Sequence, residues 1–289
     1  MIIGIDIGST ITKAVSVETG SDGKAGADGK AGAAGKNGVV IWKIKTKAID
    51  AVTSATGAFG KMIMENGIQM TDIERIMITG AGASKINNDL FGIPTEKVDE
   101  IQAVGIGGMF LAGKENIIIT NIGTGTAVID ARRDSISHLG GSGVGGGTIQ
   151  GLAKKLLPTT DFNGIMKLAE KGNLSQVDLL LEDIMETDIS FLNRKATASN
   201  FGKMLDSGGS EDIALGIINM VYQVIGMLSV FAAKIRKTDR VIVTGNGSDN
   251  AIGKRTLREI TSMYQVQFEY PEDAAYTTAI GAALSFKRP

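Results

Sequence analysis

The sequence predicts a layered α/β protein made of two related halves. At 289 residues, the chain is long enough for about two domains. One pattern occurs at 5–9 and again at 120–124: an apolar strand end, Asp or Asn, Ile-Gly, and a hydroxyl residue. Strand-like and helix-like segments alternate around both copies, which is typical of layered α/β architecture. We therefore expect one domain at 1–115 and a second at 116–289.

The first half is predicted to open with an antiparallel meander. Its turn is Gly8-Ser9-Thr10, and a glycine at every third position from Gly20 to Gly38 separates the second strand from the third. Collagen shares this period but needs proline, which the segment lacks, so we predict a flexible loop inserted at 20–38. A collagen-like trimer and a charged tether for a partner are the alternatives. The three strands are expected at 2–7, 12–17 and 39–46.

Hydrophobic periodicity predicts the remaining elements. A second hairpin is expected from strands 117–122 and 126–131, matching the first. The second half is expected to be the more helical one, with a long apolar helix at 213–235. Further helices are predicted at 50–66, 100–113, 148–157 and 277–286, and further strands at 73–79 and 241–244.

Composition excludes several classes of function. The chain has 30 Lys and Arg against 31 Asp and Glu, so its charge gives no reason to expect nucleic acid or an acidic membrane as partner. There is no cysteine, which removes thiolate catalysis and Cys-ligated metal centres. His138 is the single histidine, so a His-rich metal site is excluded. No uninterrupted apolar run reaches ~18 residues and no signal peptide is evident, so we expect a cytoplasmic protein without a membrane span.

Four glycine-rich turns are candidates for phosphate binding, because backbone N–H groups can converge where no Cβ intrudes. The first contains Gly8, Ser9 and Thr10 and is followed by Lys13, and Asp6 before it could hold Mg²⁺. Neither the Walker motif nor the Rossmann fingerprint is present. We predict that the set binds the phosphates of a nucleotide. The other three turns lie at 123–126, 140–147 and 245–248.

These motifs resemble the superfamily of acetate kinase, sugar kinases, heat-shock 70 and actin. More narrowly, the chain resembles type II pantothenate kinases over nearly its whole length except the triplet loop. The glycine-rich stretch at 140–152 and the SNFG element are the more specific signals. The motifs that carry the resemblance are GIDIGSTITK at 4–13, VDEIQA at 98–103, NIGTGT at 121–126, GGSGVGGGTIQGL at 140–152, TASNFGKML at 197–205, VTGNGSDN at 243–250 and AIGAAL at 279–284.

The resemblance implies two ribonuclease H-like domains with ATP and Mg²⁺ in the cleft between them. It implies phosphorylation of pantothenate to 4'-phosphopantothenate in coenzyme A biosynthesis, by a homodimer. It assigns the catalytic base to Glu100 and the acceptor site to Glu100, His138, Gly140 and Gly141. The ATP site it implies comprises Gly8, Ser9, Thr10, Lys13, Thr124, Gly125, Gly146, Gly147, Thr148, Ile149, Gln150, Phe162 and Asn246.

Two positions leave alternatives open. Asp99 competes with Glu100, because a shift of one residue in the alignment would exchange them, and a first-turn acid can also simply stabilise its helix. His138 stands where the family has an arginine that holds the pantothenate carboxylate. Arg132 or Arg133 could replace that arginine, or the acceptor could lack the carboxylate, as pantetheine does.

Two other functions compete with a kinase. The N-terminal motif is similar to that of ATPase activators of benzoyl-CoA reductase and 2-hydroxyacyl-CoA dehydratases, but those depend on Cys-ligated iron–sulfur clusters. A non-catalytic sensor or actin-like assembly protein is the other alternative, against which Glu100 and the 140–152 motif argue.

Overall fold

The computed structural model describes residues 1–18, 34–35, 38–185 and 193–286. Most of the predicted loop at 20–38 lies outside these residues. Its described part is a short antiparallel pairing of Ala34 with Val39 and of Gly35 with Gly38.

The described residues of the first half form six strands and two α-helices. They are β1 (Ile2–Ile7), β2 (Ile11–Glu18), β3 (Ala34–Gly35), β4 (Gly38–Lys47), α1 (Ala51–Asn66), β5 (Arg75–Thr79), β6 (Thr95–Lys97) and α2 (Glu100–Ala112).

The second half holds the remaining described elements. They are β7 (Ile117–Ile122), β8 (Thr126–Arg132), β9 (Ser135–Ser142), α3 (Gly146–Leu156), α4 (Phe162–Ala169), β10 (Leu179–Leu180), α5 (Leu181–Ile184), β11 (Thr197–Ser199), α6 (Ser210–Ile235), β12 (Arg240–Thr244), α7 (Ala251–Tyr264), β13 (Gln267–Glu269) and α8 (Thr277–Leu284).

Each half is built on a mixed sheet, and the two sheets share one plan. The first has the order β3-β4-β2-β1-β5-β6 and the second β13-β12-β7-β8-β9. Hairpins β1–β2 and β7–β8 are antiparallel, and each is extended by a parallel strand, β5 or β12. The α/β fold class with two related ribonuclease H-like halves is therefore confirmed, and each sheet lies on one side of the proposed division at 115/116.

Helix α8 belongs to the second half in sequence but packs against the sheet of the first half. Its alanines pack with Ile2, Val15 and Met77 in a core on one face of the first sheet. It also lies against α2 with almost no space between the backbones, since a Cβ added at Gly107 would lie 2.0 Å from the Thr277 carbonyl oxygen. Alanine and glycine in both helices permit this approach, and the pair anchors the start of α2 between the two sheets.

Helix α6 is the long apolar helix that the sequence predicts, and it begins earlier, at Ser210. Its polar first turn is held by Asp212, whose carboxylate accepts from the N–H of Gly209 at 2.9 Å. By length and mean hydropathy this helix could cross a membrane, although no uninterrupted apolar run suggested it. However, 67% of its most apolar 18-residue window is buried inside the protein, as expected of a core helix.

Candidate active site

A cleft of about 720 Å³ lies between the two hairpins. Residues from both sheets, from the start of α2 and from α8 line it. They include Asp6, Gly8, Ser9, Thr10, Lys13, Gly80, Ala81, Glu100, Asn121, Thr124, Gly125, His138, Gly141, Asn246 and Thr278. The fold thus brings residues from widely separated parts of the chain into one cavity.

The first hairpin carries a buried ion pair at the floor of the cleft. Lys13 lies directly opposite Asp6 on the neighbouring strand, with 3.4 Å between Nζ and Oδ2. Burial raises the pKa of Asp6, while the charge and hydrogen bond of Lys13 act in the opposite direction. Lys13 therefore compensates a carboxylate that would otherwise be costly to bury.

The second hairpin meets the first across the cleft. The hydroxyls of Ser9 and Thr124 lie 2.8 Å apart, so the tips of the two turns are in contact. Behind the second tip lies the start of α3, where the N–H groups of Gly146 and Gly147 donate to the carbonyls of Gly123 and Thr124 at 2.9 Å. These N–H groups hold the hairpin turn in this structure rather than pointing freely at an anion.

A second repeated turn lies at the ends of β5 and β12. Thr79-Gly80-Ala81-Gly82 follows β5, as Thr244-Gly245-Asn246-Gly247 follows β12. Gly80 has φ +88° and Gly245 has φ +83°, a conformation that glycine adopts at little cost. Of these two turns, the sequence pattern singles out only the one after β12 as a candidate for phosphate binding. The shared T-G-x-G pattern at the ends of equivalent strands is the signal that would have revealed the other.

Glu100 and Asp99 have different roles at the start of α2. The Asp99 carboxylate caps the helix by accepting from the N–H of Gln102 at 3.0 Å, whereas the exposed Glu100 side chain lines the cleft. Although Glu100 is accessible from the open cleft, the protein around it partly desolvates the carboxylate and raises its pKa; the negative charges of Asp6 and Asp99 raise it further, against the effect of Lys13. This geometry favours Glu100 over Asp99 as a group that can reach a substrate.

His138 lies on β9 at the same cavity, whereas neither nearby arginine lines it. Arg132 pairs with Asp130 at 3.1 Å, and Arg133 lies 3.9 Å from Glu115. Among the cleft-lining residues that the structure describes, the side chains able to carry positive charge are thus Lys13 and His138. Gly141 lies beside the imidazole, since a Cβ there would be 3.5 Å from His138 Nε2.

Several residues that the resemblance assigned do not line the cleft. Ile149 is buried in the core of the second half, and Phe162 begins α4 with its side chain exposed. Gly140 lines a separate, smaller cavity beside α6. Thr148 Oγ1 accepts from the N–H of Gly145 at 3.1 Å at the start of α3. The remaining residues of this group are Gly146, Gly147 and Gln150.

Comparison with known proteins identifies the family of this chain. A family model described as Fumble matches residues 116–285. A type II pantothenate kinase of Bacillus anthracis is 33% identical over 224 residues, covering 74% of this chain and 81% of its own. The chain belongs to the type II pantothenate kinase family. An Oceanobacillus iheyensis member of this family is 28% identical over 72% of the chain and 80% of its own length.

Solved structures share the fold at lower identity. The activator of 2-hydroxyisocaproyl-CoA dehydratase from Clostridium difficile, with bound ADPNP, has a TM-score of 0.63 at 17% identity, over 98% of this chain and 93% of its own. A ROK family glucokinase from Streptomyces griseus, in complex with glucose and AMPPNP, has a TM-score of 0.56 at 14% identity. The match covers 98% of this chain and 97% of the glucokinase chain. This chain therefore shares its fold both with a sugar kinase and with a dehydratase activator.

Proposed function

We propose that this protein is an ATP-dependent kinase that phosphorylates pantothenate to 4'-phosphopantothenate, at the entry to coenzyme A biosynthesis. The observation that carries this proposal is the shared cavity: Glu100 lines the same cleft as the two glycine hairpins. The named relatives support the choice of acceptor. The dehydratase-activator alternative requires cysteine ligands, and the sequence has none.

Phosphoryl transfer needs little covalent chemistry from the protein, so positioning and charge stabilisation dominate. Glu100 is the proposed base that accepts the proton of the acceptor hydroxyl, and its raised pKa makes the carboxylate a better proton acceptor. The hydroxyls of Ser9, Thr10 and Thr124 can donate to phosphate oxygens from both sides. Lys13 adds positive charge at the floor of the cleft.

The carboxylate of Asp6 fits a magnesium ion that is held mainly by a nucleotide. Such ions commonly take one or two carboxylates together with phosphate oxygens and waters. Among the described residues there is no cluster of three or more His, Cys, Asp or Glu that could hold a metal by itself. When bound there, Mg²⁺ would neutralise charge on the phosphates.

His138 is the proposed partner of the pantothenate carboxylate. Arg132 pairs with Asp130, Arg133 is an exposed side chain near Glu115, and neither lines the cleft, which leaves the imidazole on that wall. Histidine lacks the permanent charge and bidentate geometry of arginine. This observation keeps a carboxylate-free acceptor such as pantetheine as the second candidate.

A homodimer in the cytoplasm is also part of the proposal. Val224, Leu228, Phe231 and Ile235 recur at intervals of four, three and four residues on α6, which forms one stripe along a helix. Phe231 is 55% exposed and Ile235 is 75% exposed. Such a stripe fits a helix-to-helix contact between two copies, and a monomeric mass in light scattering would contradict it.

The decisive experiment is a mass-spectrometric phosphorylation assay with ATP and Mg²⁺, offering pantothenate and pantetheine in parallel. Phosphopantothenate from the wild type, with loss in Glu100→Gln, is the expected result. Product from pantetheine alone would show that His138 marks a changed acceptor. Product from neither would overturn the kinase assignment for these acceptors, as would rapid ATP hydrolysis without an acceptor.

A further inference from the structure

The chain passes between the two halves at two places. It leaves α2 for β7 through residues 113–116, and it leaves β13 for α8 through residues 270–276. Because β13 is an edge strand of the second sheet and α8 packs on the first sheet, this second passage spans the boundary between the halves. Two lysines of the first half bind acids beside it, since Lys114 pairs with Glu269 and Lys43 pairs with Asp273.

The pair of Lys43 and Asp273 is the more buried of the two. Lys43 lies on β4, and its Nζ donates to both carboxylate oxygens of Asp273, at 2.6 and 2.8 Å. The side chain of Asp273 is 10% exposed, whereas that of Glu269 is 34% exposed and also accepts from Arg240. Among the described residues, no other cation pairs with Asp273. Salt therefore screens this pair less than the exposed one.

Asp273 also has an unusual backbone conformation next to the cleft. Its φ is +62°, in the left-handed region that a residue with a Cβ adopts uncommonly. The carbonyl of the following residue, Ala274, accepts from the N–H of Gly245 at 2.9 Å. Gly245 opens the turn at 245–248 and itself lines the cleft. A continuous set of contacts thus runs from the first sheet, through Lys43 and Asp273, to the wall of the cleft that the second half forms.

We propose that Lys43 is a positioning residue, which holds Asp273 and thereby sets the place of the 245–248 turn relative to the first sheet. Without Lys43, the Asp273 carboxylate would lose its charged hydrogen bonds and turn toward water, since an unpaired charge is costly to bury. The left-handed backbone at Asp273 would then relax, and the Ala274 carbonyl that holds the turn would move with it. This arrangement does not depend on what the cleft binds, but its expected effect on ATP rests on the proposed function.

The arrangement can be measured directly, because the chain has no cysteine and two can be introduced for spin labels. Met64 on α1 and Ser262 on α7 are exposed, and α7 follows the turn closely along the chain. With both changed to cysteine and labelled, pulsed electron paramagnetic resonance gives the distribution of distances between the halves. Lys43→Met should raise the population of distances outside the main peak about tenfold, the lower end of what a charged hydrogen bond contributes.

Three further variants separate positioning from a general loss of stability. Asp273→Asn keeps the size of the side chain and tolerates the left-handed backbone, so it tests the charge alone and should act like Lys43→Met. Combining these two changes should displace the halves no further than either does singly, because the residues act as a pair. Lys43→Arg keeps the charge and should retain most of the main peak.

Lys47→Met is the matched control. It removes a lysine from the same strand, where no acid pairs with it among the described residues, and should leave the distances unchanged. In the phosphorylation assay, Lys43→Met should raise KM for ATP about tenfold and leave kcat within about twofold, because the turn moves while Glu100 is untouched. Lys47→Met should change neither constant.

Two results would overturn the inference. One is an unchanged distance distribution in both Lys43→Met and Asp273→Asn, even with lowered melting temperatures, because the pair would then only stabilise the fold. The other is an equal displacement in Lys47→Met, since the loss of any lysine charge would then suffice. Displaced distances in a protein that forms no phosphopantothenate would support the positioning role and contradict the proposed function alone.

Discussion

The first hairpin, β1–β2, has a buried ion pair at its base, whereas the second, β7–β8, has a neutral amide facing an alanine. The first turn has one more residue, and the second is supported from behind by the N-terminus of α3. The strand order and the following T-G-x-G turns are nevertheless the same. The two halves therefore share one backbone plan and the glycines that allow the turns to approach the hairpins, but they differ in charge.

The largest expected effect on activity concerns Glu100, the proposed general base, which has no counterpart from the second half among the described residues that line the cleft. Glu100→Gln should lower kcat by about 10²–10⁴-fold, the usual contribution of a general base. Because the base must be ionised and its pKa is raised, kcat/KM of the wild type should fall as pH decreases through a value above the ordinary glutamate pKa. A pH–rate profile checks this.

Asp99→Asn provides the matched control for that profile. Asparagine still caps α2, but the negative charge that helps to raise the Glu100 pKa is removed. The acidic limb should therefore move to lower pH while the helix stays intact. Two outcomes would show that another group controls the rate. One is an acidic limb of the pH–rate profile that Asp99→Asn does not move, and the other is an acidic limb that persists in Glu100→Gln.

The next effect concerns the ion pair that distinguishes the first hairpin. Lys13→Met leaves Asp6 buried without its cation and should lower the free energy of unfolding by about 3–5 kcal/mol. Chemical denaturation measures the loss. Adding Asp6→Asn to this variant should restore part of the stability, because both charges are then absent. A double variant as unstable as the sum of the single variants would mean that the two residues do not interact.

The smallest expected effect concerns the glycine turns at Gly80 and Gly245, which the two halves share. Gly80→Ala and Gly245→Ala should each lower the free energy of unfolding by roughly 1–3 kcal/mol, because the left-handed backbone is strained by a Cβ. That Cβ would also lie 2.9 Å from the Ile7 carbonyl oxygen or 2.4 Å from the Ile122 carbonyl oxygen. Gly92→Ala is the control for strain alone, since Gly92 has φ +75° and open space around it. Equal losses at all three positions would show that close contact to the hairpins contributes nothing.

Much of the site could be predicted because its residues lie in short contiguous motifs. Asp6, Gly8, Ser9, Thr10 and Lys13 fall within one hairpin, where local pairing alone decides their relative positions. Asn121 lies within a motif that the sequence singles out, yet the orientation of its amide depends on a hydrogen bond from Thr244, 123 residues away. The function of the Gly146 and Gly147 N–H groups likewise depended on the packing of α3 against the second hairpin, which no local pattern reveals.

By itself, the sequence determined the two-part α/β plan, the repeated hairpins and the family, since periodicity and glycine turns are local properties of the chain. Only the tertiary structure decided that Glu100 reaches the cleft while Asp99 caps a helix, and that α8 returns to the first sheet. The physical reason is that these outcomes depend on contacts between distant segments. Side-chain direction and charge compensation are fixed when α2, α8 and the two sheets pack together.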